Sequence, residues 1–153
     1  MALKDLLNIN NQLVNGVLGN MSEVSVTQLE KEYGGYLMDD EKIILGFKLV
    51  RDVIIFTDKR IIDFDKQGTT GSKTRVISIF LDSIYSVTAE TAGFGLDDSE
   101  ITISFITSPN MRSNNISLES KKYEFPKKYE IQPLYKMLHE LAYNNYKSLN
   151  NLR

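Results

Sequence analysis

The chain has 153 residues, 42% of them hydrophobic, with 18 Lys+Arg against 20 Asp+Glu, one His, no Cys and no Trp. This composition excludes a disordered chain, and the missing cysteine excludes a disulfide framework, a thiolate nucleophile, a Cys-based zinc site and an iron–sulfur cluster. A net charge of −2 and a pI near 5.5 argue against nucleic-acid binding. Residues 1–40 read as a helical extension. Leu3, Leu7, Val14 and Leu18 share one helical face, Asn8, Asn10, Asn11 and Asn15 weaken that helix in isolation, and Gly19-Asn20 is a stop signal. Ser25 with Gln28 has the form of a capping box, Val26, Leu29 and Tyr33 follow at helical spacing, and Gly34-Gly35 ends the second helix.

From Glu41 the period changes to two. Ile43, Leu45, Phe47 and Leu49 alternate with Lys42, Ile44, Gly46 and Lys48, which predicts a strand with one buried face. Further strands are expected at Val53–Phe56, Ile61–Asp65, through Val76, Ile77 and Ile79, at Ile84–Ala89, at Glu100–Phe105, and through Ile116 and Leu118, resuming at Tyr123 and Phe125. Lys66–Ser72 is a glycine-bearing hairpin loop, and Gly93–Asp98 a second loop. The helical period then returns, with Ile131, Leu134, Leu138, Leu141 and Ala142 forming one stripe on a helix over Gln132–Tyr146, Pro133 lying in its first turn. The reading is a mainly β fold with helices: a seven-stranded bent antiparallel sheet or partly open barrel over residues 41–146, capped by a C-terminal amphipathic helix. Residues 147–153 form a tail.

Charge alternates in blocks: net −5 over residues 1–41, +4 over 42–75, −5 over 76–120 and +4 over 121–153. Such blocks can steer partners or let copies of the chain dock on one another. Met1–Leu7 has an acid directly after its lysine and so lacks the apolar stretch of a signal peptide, and no apolar run is long enough to span a bilayer. The expected location is cytoplasmic.

The run Phe47–Arg60, followed by Asp65–Lys73, resembles the bacterial pleckstrin-homology-like family, as do Glu90-Thr91-Ala92-Gly93, Leu96-Asp97 and Glu100 beyond it, and Leu18-Gly19-Asn20 before it. The resemblance implies a seven-stranded bent sheet capped by a C-terminal helix, and a non-enzymatic module that forms ring-like homo-oligomers. Two features depart from eukaryotic pleckstrin-homology domains. The C-terminal helix lacks a tryptophan, and Leu49–Asp52 leaves only a tight turn where phosphoinositide binders carry a long basic loop.

In an up-and-down meander the first and third turns share one end, which places Lys48 and Arg51 near Lys66, Lys73 and Arg75. Such a basic end suits an anionic headgroup or an acidic segment. Lys59 and Arg60 lie at the other end, roughly 20–25 Å away. Alternatively these are solvated turn cations, with Arg51 and Lys66 neutralised by Asp52 and Asp65.

Asp63, Asp65, Gln67 and Gly68 match the start of a calcium loop, but the twelfth position is Thr74 and strands flank the loop. Asp97, Asp98 and Glu100 form a second acidic group, suited to a cation or to a basic block of another subunit. Gly68–Lys73 is two residues short of a phosphate loop. His139 has no partner for zinc or acid–base chemistry. Tyr135, Tyr143 and Tyr146, beside Lys136 and Lys147, offer a partner-facing helix surface.

The sequence thus predicts no catalytic residues, no metal and no cofactor. The leading expectation is a homo-oligomeric interaction module with itself and an unidentified protein as partners. The alternative is peripheral binding to an anionic membrane surface through the basic end.

Overall fold

The computed structural model describes residues 24–49, 52–93, 98–127 and 129–152. The expected first helix, with Leu18-Gly19-Asn20, lies outside the described residues, as do Arg51 and Leu96-Asp97. Helix α1 (Val26–Tyr33) begins where Ser25 caps it, its side chain accepting from the Gln28 amide at 3.2 Å. The Gln28 side-chain amide donates onward to Glu32 at 2.9 Å. A single 3-10 turn over Gly34–Tyr36 follows.

Seven strands come next: β1 (Ile43–Lys48), β2 (Asp52–Thr57), β3 (Arg60–Gln67), β4 (Lys73–Phe80), β5 (Ile84–Glu90), β6 (Ser99–Ile106) and β7 (Leu118–Phe125). All pairings are antiparallel, in a four-stranded sheet ordered β1-β2-β3-β4 and a three-stranded sheet ordered β5-β6-β7. Helix α2 (Gln132–Leu149) runs three residues beyond its predicted end.

Between the sheets lies the main core. Leu45, Phe47, Ile54, Phe56 and Ile61 meet Ile101, Ile103 and Phe125 of the second sheet, and Leu134, Leu138 and Leu141 of α2 close over them. Phe47 stands edge-on to both Phe56 and Phe125, with ring centroids 5.9 Å apart in each case.

The predicted one-sided burial of β1 needs correction. A bulge between Ile43 and Leu45 reverses the alternation, so Ile43 leaves the main core for a second one on the outer face. That outer core joins Val24 and Leu29 to Ile43, Val53, Ile55, Ile62 and Phe64. Strands β1–β3 are therefore covered on both faces, which explains why Val53–Phe56 and Ile61-Ile62 are continuous apolar runs. Gly46 makes room for this arrangement, since a Cβ there would stand 2.5 Å from the Leu29 Cδ1.

The two sheets meet at the β4–β5 corner, a 3-10 turn over Leu81–Ser83. Buried Asn145 of α2 donates from its side-chain amide to the Leu81 and Ile84 carbonyls, both at 2.8 Å. The corner's backbone acceptors are satisfied by a helix that is distant in sequence.

Candidate ligand-binding end

The β1–β2 turn and the β3–β4 hairpin do lie at one end of the first sheet: Lys48 pairs with Val53, Asp52 with Asp65, and Gln67 with Lys73. In the hairpin loop Gly68 and Gly71 take positive φ angles of 77° and 61°, which favour glycine. The alternation of side chains then divides the expected cations between two faces. Lys48 and Lys66 project on the outer face, where Lys48 pairs with Glu32 of α1 at 3.3 Å. Lys73 and Arg75 share the inner face with Asp65, across from which Arg75 lies. Among the described residues no ion pair engages Lys66, Lys73 or Arg75, and all three are exposed. Asp65 does not neutralise Lys66. It accepts from the Gln67 side chain at 2.6 Å and lies 3.7 Å from the Lys121 ammonium.

Level with Arg75 and beyond it the inner face is acidic. Asp63, fully buried, sits two residues along β3 from Asp65, and Asp52 faces Asp65 from β2. Lys121 reaches across from β7 in the other sheet and places its ammonium 3.0 Å from the Asp63 Oδ2. Among the described residues, the Asp63 Oδ1, the Asp52 Oδ1 and the Tyr123 hydroxyl are buried without a hydrogen-bond partner.

Electrostatics follow from this crowding. Burial raises the Asp63 pKa, Lys121 opposes the rise incompletely, and the Asp52 and Asp65 charges add to it. Burial and the Asp65 charge also raise Asp52. Burial alone would lower Lys121, but Asp63, Asp65 and Asp52 outweigh it and hold its pKa up. Tyr123 is pushed well above its ordinary value by burial, then by Asp63 and Asp52.

At the opposite end Arg60 and Lys59 are both engaged. Arg60 donates from Nε and Nη2 to the two Glu41 oxygens at 2.8 and 2.9 Å, and further to the Tyr36 carbonyl and the Ser78 hydroxyl. Thr57 and the Met38 amide also donate to Glu41. Burial raises the Glu41 pKa, yet the hydrogen bonds from Arg60, Met38 and Thr57 bring it down to about 2. Lys59 pairs with Asp40 at 2.7 Å. Between this end and the β6–β7 connection opens a cavity of about 690 Å³ lined by Met38, Phe80, Leu81, Ile106, Pro109 and Met111. A second cavity of about 350 Å³ shares Ile106 and Met111 and extends to Tyr85, Ile116 and Tyr146.

The other sequence candidates fall into place around these features. Glu100 pairs with Lys122 at 2.9 Å, and Asp98 is exposed. Exposed His139 stacks on Tyr135 at 5.6 Å, and Lys147 lies over the Tyr143 ring. Asp63 and Asp65 face Lys121, and Thr74 is exposed. Among the described residues no three carboxylate or histidine side chains are grouped to hold a metal ion. Nor is any described helix long and apolar enough to cross a membrane. Lys121 and Tyr123 were missed by the sequence reading. The available signal was a lysine at an inward position of a strand whose next two inward residues are Tyr123 and Phe125.

The family model described as Bacterial PH domain matches residues 12–142. The chain belongs to the bacterial PH domain family. In structure, this bacterial PH domain is similar to a pleckstrin-homology domain from Shewanella amazonensis SB2B, with a TM-score of 0.63 and 32% identity. That match covers 84% of this chain and 97% of the other. A DUF1696 family protein with a pleckstrin-homology domain from Shewanella loihica PV-4 is 28% identical, with a TM-score of 0.57, covering 80% and 97%. In sequence, this bacterial PH domain is 48% identical over 90 residues to the uncharacterized protein YjqA of Bacillus subtilis (strain 168), spanning 59% of this chain and 72% of that protein.

Proposed function

We propose that this bacterial PH domain is a non-catalytic interaction module that assembles with copies of itself. One observation carries the reading: the apolar surface at the β4–β5 corner, where the two cavities adjoin. Phe80 is 62% exposed there, Tyr146 52% and Ile116 43%, and the three stand beside Met111 and Ile106 rather than scattered singly. Contiguous apolar surface of this kind marks an interaction site. A second copy is the occupant favoured by the alternating charge blocks, since each copy presents both signs to its neighbour. Exposed Tyr143 and Tyr146 on α2 extend the same face.

Sedimentation velocity across micromolar concentrations tests this. The expected result is a concentration-dependent oligomer that Phe80→Asp dissociates, leaving the secondary structure intact because Phe80 is largely exposed. A monomer at every concentration would overturn it.

A second reading, peripheral binding to an anionic membrane, is favoured by the exposure of Lys66, Lys73 and Arg75 without ion-pair partners among the described residues. Its test is co-sedimentation with anionic against neutral vesicles. Binding should require anionic lipid and weaken with salt, because screening beyond about 8–10 Å is strong at ordinary ionic strength.

A further inference from the structure

We propose that residues 1–20 form an amphipathic helix that docks on the outer face of β4 of their own chain and completes the cover of the first sheet. The existing cover stops one strand short. Leu29, Tyr33 and Tyr36 lie over β1–β3, where Val53, Ile55, Ile62 and Phe64 are buried. Val76 stands opposite Phe64 on β4 and is 39% exposed. Tyr36, whose ring stands edge-on to Phe64 with centroids 5.0 Å apart, is 54% exposed. Arg60 binds the two sides together, donating to the Tyr36 carbonyl and to the hydroxyl of Ser78, the next outward residue of β4. The whole outward row of β4, Thr74, Val76, Ser78 and Phe80, is exposed and uncharged, while Lys73 and Arg75 occupy inward positions. Contiguous apolar surface of this kind marks a contact site.

The chain itself supplies a matching cover. Residues 6–22 contain no charged side chain. Wound as a helix, Leu3, Leu7, Leu13, Val14, Val17 and Leu18 gather on one side, and Asp5, Asn8, Gln12 and Asn15 on the other. Its asparagines leave such a helix marginal alone, so it needs an apolar partner. The segment also arrives at the right face. Val24, four residues after Asn20, is buried in the same outer core as Phe64. Asn20 therefore lies within about 14 Å of Val24. A helix of twenty residues adds about 30 Å, against a first sheet whose three inter-strand spacings total about 14 Å. So short a tether holds the segment at an effective concentration in the millimolar range, which favours its own chain over a second copy. The docking is independent of self-assembly, whose surface at the β4–β5 corner meets this row only at Phe80.

The chain has no cysteine, so Gln12→Cys, on the polar side of the helix, accepts a single nitroxide label. In the full-length protein the label is expected to erase most of the backbone amide signal of Tyr36, Val76 and Ser78 in nuclear magnetic resonance spectra, with recovery when the nitroxide is reduced. Val76→Asp, at an exposed position, should restore the Tyr36 and Ser78 signals with the sheet intact. Leu7→Asp with Val14→Asp should restore them from the other partner. A mixture of nitroxide-labelled chains without isotope and isotope-labelled chains without nitroxide should show no loss, because label and reporter then sit on different chains. Full signal in the labelled protein overturns the proposal, as does loss that survives both sets of substitutions. Loss of equal size in the mixture assigns the segment to a neighbouring copy and overturns it as well. A protein that is monomeric at every concentration would remove the assembly reading and leave the same-chain signal loss in place, so the two fail separately.

Discussion

Leu29 occupies the space that a side chain on Gly46 would fill: a Cβ at Gly46 would lie 2.5 Å from the Leu29 Cδ1 and 3.2 Å from the Ile54 carbonyl oxygen. Helix α1 therefore docks on β1 at the one strand position without a side chain, and Leu29 is fully buried by the contact.

Gly46→Ala should destabilise the domain by about 1–3 kcal/mol through overpacking. Leu29→Ala should cost about 2–5 kcal/mol as a cavity. In the double variant the alanine methyl at residue 46 enters the space that Leu29 leaves, so the combined loss should fall short of the sum. Urea denaturation of the four proteins measures this, and strict additivity would contradict the packing.

Glu41 gives the fold an acid-sensitive tie. Its pKa falls from 4.5 to about 2 on folding, so the folded state binds its proton less tightly than the unfolded chain does. The stabilisation is complete above pH 4.5 and is lost as pH falls towards 2, on the order of 3 kcal/mol in all. Glu41→Gln should remove most of that slope between pH 5 and pH 2, as read from denaturation midpoints.

Asp52 and Asp63 act in the opposite sense. Both are raised above 3.8, so the folded state holds their protons more tightly and stability declines as pH rises from 3.8 through the raised values. In a Glu41→Gln background this decline should become visible, and Asp63→Asn should flatten it. An unchanged slope in that double variant would contradict the placement of Asp63.

Asn145 holds two buried carbonyls. Asn145→Ala should lower stability by about 2–4 kcal/mol, because both acceptors lose their donor. Asn145→Asp should be no better, since an ionised carboxylate has no N–H to offer either carbonyl. Thermal unfolding measures the loss, which for Asn145→Ala runs against helix propensity because alanine is the better helix former.

Much of this architecture was legible in local patterns. The alternation along β6, the short apolar runs of β2 and β3 and the stripe Leu134, Leu138, Leu141 placed the strands and α2, because burial leaves these patterns directly in the sequence. The Ser25 cap was equally readable. What escaped was set by relations between distant segments. The bulge at Ile43 and the cover supplied by Leu29 depend on α1 returning over β1, so the strand read as one-sided. The five cations looked like one cluster because the turns share an end, but their facing depends on register: Lys73 and Arg75 lie opposite Gln67 and Asp65, on the other side of the sheet from Lys66. The Lys121–Asp63 pair joins two sheets, and no local spacing announces it.

The tie from Asn145 also has a bearing on synthesis. The carbonyls that it holds belong to Leu81 and Ile84, 64 and 61 positions earlier in the chain. As a nascent chain leaves the ribosome, both sheets can emerge in full while their shared joint still waits for its donor. Until the closing turns of α2 arrive, that joint is held by solvent, and a chaperone would meet a paired but unlatched domain.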